Sequence, residues 1–207
     1  TVRMEEMRKT MSSDTHTQDS RVDENYWSSQ RIAIYALLSA LALLLSFVEF
    51  PIFPAAPFLK YDPSGIIVLL AGFAYGPLAA FIVALISSAP HIFTNPIGGL
   101  ISLLCIAAFA LPSAAIYKKN RTKRGAFLGL IIGALAFILT AIVLNLLFTP
   151  LYTATSVSQV AAMIIPILLP FNALKAVIDI VVTVLCYKPV TSLLKAFAQS
   201  RKNERSI

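Results

Sequence analysis

Charge is what this sequence has least of. Only 13% of its 207 residues are Asp, Glu, Lys or Arg, while 57% are hydrophobic; an ordinary soluble domain carries roughly 25% charged residues. No charged residue falls between Pro63 and Tyr117, and none between Gly125 and Leu174. A core of this size cannot hide so much apolar surface from water, so a lipid solvent is implied. Cysteine is scarce too: Cys105 and Cys186 lie far apart inside apolar segments, which excludes a metal-binding spacing or a disulfide framework and leaves two small core residues. There is no G-x-x-x-x-G-K-[ST], so the chain does not hydrolyse ATP by itself. H-E-x-x-H, G-x-S-x-G and clustered His with carboxylates are missing as well, which removes the parts of a membrane hydrolase.

What is present reads as a polytopic all-α membrane protein. Ile32–Val48 is uncharged, and after Gly125–Leu174 the run Ala176–Tyr187 carries only Asp179. The net charge of +7 is not a nucleic-acid footprint, because the bases sit at the ends of apolar runs and form no continuous face. Arg31 opens the first run. Lys118, Lys119, Arg121, Lys123 and Arg124 form one cluster, and Lys188, Lys195, Arg201, Lys202 and Arg205 another. The positive-inside rule places all three on the cytoplasmic side, so the chain crosses an even number of times between each pair. Breaks at Gly76-Pro77 and Asn95-Pro96-Ile97-Gly98-Gly99 divide residues 63–117 into three helices. Pro150, Pro166 and Pro170 divide the last interval into two. Six transmembrane helices with both termini cytoplasmic result. Helices two and three come out short, about 13 residues each, against a usual 17–25.

The expected organisation is a disordered cytoplasmic tail over residues 1–30, a membrane domain over 31–197 and a cytoplasmic tail over 198–207. Residues 1–30 hold acids and bases with almost nothing apolar before Tyr26 and Trp27, unlike a signal peptide. Two outward loops are expected. Glu49–Asp62 carries Pro51, Pro54 and Pro57 with Phe50, Phe53, Phe58 and Tyr61; Thr149–Pro170 carries Tyr152 and three prolines. A proline-stiffened aromatic loop keeps its shape cheaply and suits a ligand lid, although a plain connector has the same composition.

The few polar residues at membrane depth are the most informative. Lys175 and Asp179 stand at i and i+4 in the last helix, so they share a face and can pair. Either alone near the bilayer centre costs roughly 2.5–3.5 kcal/mol on insertion scales, and such residues mark functional paths. Asn172 lies one turn earlier, and Asn145 interrupts the apolar run of the preceding helix. Asn145, Asn172 and Lys175 together offer amide donors and acceptors plus one cation, a set suited to a neutral heterocycle bearing carbonyls and ring nitrogens. The alternatives are mutual neutralisation with asparagines gluing helices, or a proton relay. His91, beside Pro90, reads as a wet loop-end histidine. Ala36 and Ala40 in the first helix form a small-xxx-small face suited to a partner helix, and Gly125, Gly129 and Gly133 suit internal packing.

The sequence resembles the substrate-binding S-components of energy-coupling factor (ECF) transporters, and among them the riboflavin-binding type. The resemblance runs over roughly residues 30–197: Arg31-Ile-Ala with Ala36-Leu-Leu-Ser-Ala40, Phe50-Pro-Ile-Phe-Pro, Pro57-Phe-Leu-Lys-Tyr-Asp-Pro-Ser64, Gly72-Phe-Ala-Tyr-Gly-Pro-Leu-Ala79, Thr149-Pro-Leu-Tyr152 and Leu169-Pro-Phe-Asn-Ala-Leu-Lys175. It implies a non-catalytic subunit in a prokaryotic cell membrane, partnered by a transmembrane coupling protein and two cytoplasmic ATPases. It implies riboflavin, or its phosphate FMN, as transported ligand rather than cofactor. Asn145, Asn172 and Lys175 would hydrogen-bond the isoalloxazine ring, the loop at Leu59, Lys60 and Tyr61 would close over it, and Ala36 and Ala40 would dock on the coupling protein; Asp179, on the face of Lys175, joins the ligand-binding set by its spacing. FMN would want an extra base at the outer face, for which Lys60 is the candidate. A binding subunit for another vitamin, a lipid-acting enzyme and a structural subunit are the competing readings.

Overall fold

The structure, a computed structural model, describes residues 29–204 apart from 55 and 154. It divides into Thr1–Ile34, of which only the opening of the first helix is described, and Tyr35–Ile207, which holds everything else. The elements are α1 (Ser29–Ser46), β1 (Phe50–Pro51), β2 (Lys60–Tyr61), α2 (Ser64–Tyr75), α3 (Pro77–Thr94), α4 (Pro96–Lys119), α5 (Lys123–Tyr152) and α6 (Val157–Met163). A π-helical turn, Ile164–Leu168, then leads into α7 (Leu169–Glu204). The expected tail over residues 1–30 lies outside the described residues except for Ser29 and Gln30, which open α1. At the other end α7 runs through residues 198–204.

Among the described residues, five helices are long and apolar enough to cross a membrane: α1, α3, α4, α5 and the continuous run Val157–Val190, with α2 as a shorter sixth. Their surfaces are those of a lipid-solvated bundle. Phe81 and Leu85 on α3, Leu100 and Leu104 on α4, Leu135, Leu139 and Leu147 on α5, and Val177, Val181 and Val184 on α7 are all exposed. Polar side chains such as Ser113, Asn145, Thr149, Asn172 and Asp179 are turned inward. With no hydrophobic driving force between helices in lipid, close backbone approach must hold the bundle. The glycine series of α5 supplies it. The Ser113 hydroxyl donates to the Phe109 carbonyl at 2.7 Å and the Gly129 carbonyl at 3.0 Å, and a Cβ on Gly129 would stand 2.7 Å from the Ser113 carbonyl oxygen. α4 and α5 accordingly make the most extensive pairing.

α2 is short because it sits inside the bundle. Ser64 through Phe73 are buried on every face, packed by α3, α4 and α7, so this helix carries no lipid-facing stripe. It ends at Gly76, whose φ of +97° is left-handed and open to glycine; Pro77 then starts α3 at a position that needs no N–H. Asn95 caps α4 by accepting from Gly98 N at 3.1 Å, and Thr122 caps α5 by accepting from Gly125 N at 3.0 Å. Both breaks expected between residues 63 and 117 are therefore real. Helix three is nonetheless longer than expected, at 18 residues, and contains Pro90.

The second expected loop is mostly helix. α5 continues through Pro150 to Tyr152, α6 begins at Val157 behind a Ser156–Gln159 capping box, and Pro166 and Pro170 fall within a continuous helical path. The path stays helical through a π turn that spans Pro166: the Leu169 amide bonds to the Ile164 carbonyl, five residues back. The first loop, by contrast, is a true connection. Its ends pair as a short antiparallel ribbon, Phe50 opposite Tyr61 and Pro51 opposite Lys60. Its apolar residues pack down on the last helices in one cluster of Ala56, Leu59, Val160, Leu168 and Phe171, flanked by Ile52, Phe53 and Phe58.

Candidate ligand-binding site

Beneath this loop lies a cavity of about 380 Å³, within the range of small-molecule sites. It is built from the loop, the end of α3, the first half of α4, the second half of α5 and the start of α7. The basic connector 118–124 joins the opposite ends of α4 and α5, where Tyr117 and Tyr187 share a 3.0 Å hydrogen bond and both rings stand edge-on to Phe73. The cavity and this ring cluster thus stand at opposite ends of α4.

Five residues expected at a site, Asn145, Asn172, Lys175, Leu59 and Lys60, meet in this lining. Each asparagine is buried and held by its own helix. The Asn145 side-chain amide donates to the Ala141 carbonyl at 2.8 Å, and its oxygen accepts from the Thr149 hydroxyl at 2.9 Å. The Asn172 amide donates to the Leu168 carbonyl at 2.8 Å. These bonds fix amide orientation while leaving each group the further valence that an amide has. Leu168 belongs to the π turn, so the irregular turn sets Asn172 directly. Tyr61 and Asp179 do not line the cavity; they stand behind Lys175 as its support. Ala36 and Ala40 lie elsewhere, exposed on α1.

Lys175 and Asp179 do share a face, but the ion pair read between them is not formed. The Lys175 ammonium sits 3.3 Å from Asp62 Oδ2 and 3.4 Å from the Asp62 carbonyl, and 5.2 Å from the centre of the Tyr61 ring. Asp179 instead accepts from the Tyr61 hydroxyl at 3.1 Å. Two side chains one turn apart on α7 therefore clasp two consecutive residues at the end of the loop. Asp62 is further tied to the start of α2, its Oδ1 accepting from Ser64 N at 3.1 Å and from the Ser64 hydroxyl. Burial works against ionisation of Asp62, but the Lys175 ammonium and the Ser64 hydroxyl outweigh it and hold the carboxyl below its usual range. Burial and the Asp179 carboxylate push the Tyr61 phenol up, so it remains a donor. Gly65 is what admits Asp179 here: a Cβ on it would lie 3.0 Å from Asp179 Oδ2.

The sequence reading missed Asp62, Ser64, Glu49, His91 and Phe171 as part of this site. The Asp62-Pro63-Ser64 run before an apolar stretch was the usable signal, since it is a helix-start pattern. His91 is not a wet loop end. It lies in the last turn of α3, partly buried, with Nδ1 3.5 Å from Glu49 Oε2. Lys60, read as the spare outer base, is also engaged, at 2.5 Å from Glu49 Oε1.

Three comparisons bear on this arrangement. The family model "ECF transporter, substrate-specific component" matches residues 30–187. A protein of Staphylococcus aureus (strain TCH60) named riboflavin transporter RibU is 32% identical over 83% of this chain and 95% of its own length. The riboflavin transporter FmnP of Bacillus subtilis (strain 168) is 29% identical over 74% of this chain and 87% of its own. A solved structure described as the S component of a bacterial ECF transporter superposes with a TM-score of 0.70 at 32% identity, covering 81% of this chain and 98% of that one. With the family matched across the whole described bundle up to Tyr187, the chain belongs to the substrate-specific components of ECF transporters, multi-pass bacterial membrane subunits that bind the transported substrate and are not enzymes.

Proposed function

We propose that the transported substrate is riboflavin and that it binds in the cavity beneath the 47–63 loop. The observation that carries this reading is that Asn145, Asn172 and Lys175 line one cavity, two amides and one cation. A flavin ring system presents carbonyls and ring nitrogens along one edge and is otherwise flat and apolar. Phe58, Leu59, Phe137 and Phe171 line the same space and supply surface for its faces. The relatives' names support the choice among vitamins.

In this reading the loop is the lid. Leu59 anchors it in the apolar cluster, Lys60 braces it at the mouth, and Tyr61 with Asp179 locks it to α7. The positive-inside pattern puts the cavity end outward and both termini in the cytoplasm. Ala36 and Ala40, small and exposed on α1, form the face for a transmembrane coupling protein, which would link the subunit to two cytoplasmic ATPases. The test is an absorption spectrum of the detergent-purified protein followed by fluorescence titration with riboflavin. Co-purified flavin bands or nanomolar quenching are expected; a colourless protein indifferent to riboflavin overturns the substrate while leaving the family intact.

A further inference from the structure

The charged residues lining the cavity fall into two neutral groups at two depths. Inside, Lys175 is paired with Asp62, and both side chains are 11% exposed. At the mouth, Lys60 is paired with Glu49 at 46% and 31% exposure, and the second oxygen of Glu49 faces His91. Among the described residues no further Lys or Arg lines the cavity. Each of the two lysines in the described lining is already paired with an acid.

We propose that Glu49 is a specificity-determining residue, which engages both bases at the mouth and so makes the site select uncharged flavin over its 5′-phosphate, FMN. The inference rests on the flavin reading above. A phosphomonoester carries about −1.5 to −2 charges at neutral pH and is held by charge-assisted bonds from Lys or Arg. In this cavity it would have to displace Glu49 from Lys60, and would then lie beside the displaced Glu49 carboxylate, which lines the same space. A ribityl hydroxyl asks for nothing of the kind, because neutral groups such as Asn95 and Ser102, which line the same cavity, suffice for it. Discrimination of this sort is built from a repulsive element as much as from attraction.

Position separates this role from mere loop bracing. Glu49 precedes β1, Lys60 lies in β2 and His91 in α3, so the carboxylate does tie the loop to the bundle. Loosening the loop, however, weakens any flavin alike, whereas releasing Lys60 acts on the phosphate alone. The ratio of dissociation constants for riboflavin and FMN therefore isolates the proposed effect.

The experiment is fluorescence titration of the purified full chain with both ligands, comparing wild type, Glu49→Gln, Lys60→Gln and the double variant. Expected are a wild type that prefers riboflavin, a shift of the ratio by about tenfold toward FMN in Glu49→Gln, a shift the other way in Lys60→Gln, and loss of the Glu49→Gln gain in the double variant. An unchanged ratio in Glu49→Gln overturns the inference, even if both affinities fall together. Should Glu49→Gln not fold, an unchanged ratio in Lys60→Gln overturns it equally. A wild type that binds neither flavin overturns the substrate reading itself, which separates the two failures.

Discussion

Removing Lys175 should cost stability and ligand affinity by different routes, and a double-mutant cycle with Asp62 separates them. The ammonium and carboxylate stand 3.3 Å apart with side chains 11% exposed. At an effective dielectric near 20 their attraction is about 5 kcal/mol, from which desolvation of both ions must be subtracted. Lys175→Met leaves Asp62 without its ammonium, and Asp62→Asn leaves Lys175 without its carboxylate. Each single variant is expected to lose about 3 kcal/mol, within the range for breaking a buried pair. The double variant carries no stranded charge at this pair, so a coupling of about 2 kcal/mol should appear when unfolding is followed in detergent. Riboflavin binding should not recover in parallel. Lys175→Met should weaken it at least tenfold, about 1.4 kcal/mol, and the double variant should stay weak because the donor itself is gone. A coupling below about 0.5 kcal/mol would show that the pair is not a unit. Normal flavin affinity in Lys175→Met would remove this residue from the site.

Four further outcomes follow from the same geometry. Asn172→Ala and Asn145→Ala should each weaken riboflavin binding about tenfold while the protein still folds, as bonds to a buried partner are lost; unchanged titrations would refute the assigned wall. Asp62 is held below its usual range, so the stability it contributes is present above its unfolded value of about 3.9 and is lost only as pH falls through the lower folded value. The stability gap between wild type and Asp62→Asn should therefore be level from pH 7 to about 5 and close below about pH 4, read by thermal unfolding; a gap that closes near pH 6 would contradict the pairing. Gly65→Ala places a Cβ 3.0 Å from both Asp179 Oδ2 and Ile106 Cδ1, and should cost about 1–3 kcal/mol by overpacking, seen as a lowered melting temperature. Ala36→Leu with Ala40→Leu should abolish co-purification with the coupling protein while riboflavin titrations stay normal, and retained co-purification would move the interface off α1.

Much of the architecture was legible in one dimension because lipid imposes a rule on every residue at once. Runs without charge had to be helices, and the breaks at Gly76 and Asn95 were marked by residues whose chemistry ends a helix. The prolines of the last interval misled because a proline removes one donor, and a π turn can route around the loss. Helix α2 was short in sequence and proved short in space, for a reason the sequence does not show: it is buried on all sides.

A helical membrane bundle with two amides, a lysine and an aspartate at membrane depth on its last helices can be read without coordinates, since the cost of placing those groups in lipid is a local property of each residue. Whom they serve is settled by the fold. Helical spacing proposed Asp179 as the partner of Lys175, but the ammonium pairs with Asp62, 113 residues earlier, and Asp179 takes Tyr61 instead. Glu49 likewise claims Lys60 and His91 from two other elements. An ion pair is settled by distance and desolvation in three dimensions, and a loop that folds back over a bundle brings to a helix partners that no periodicity along that helix can contain.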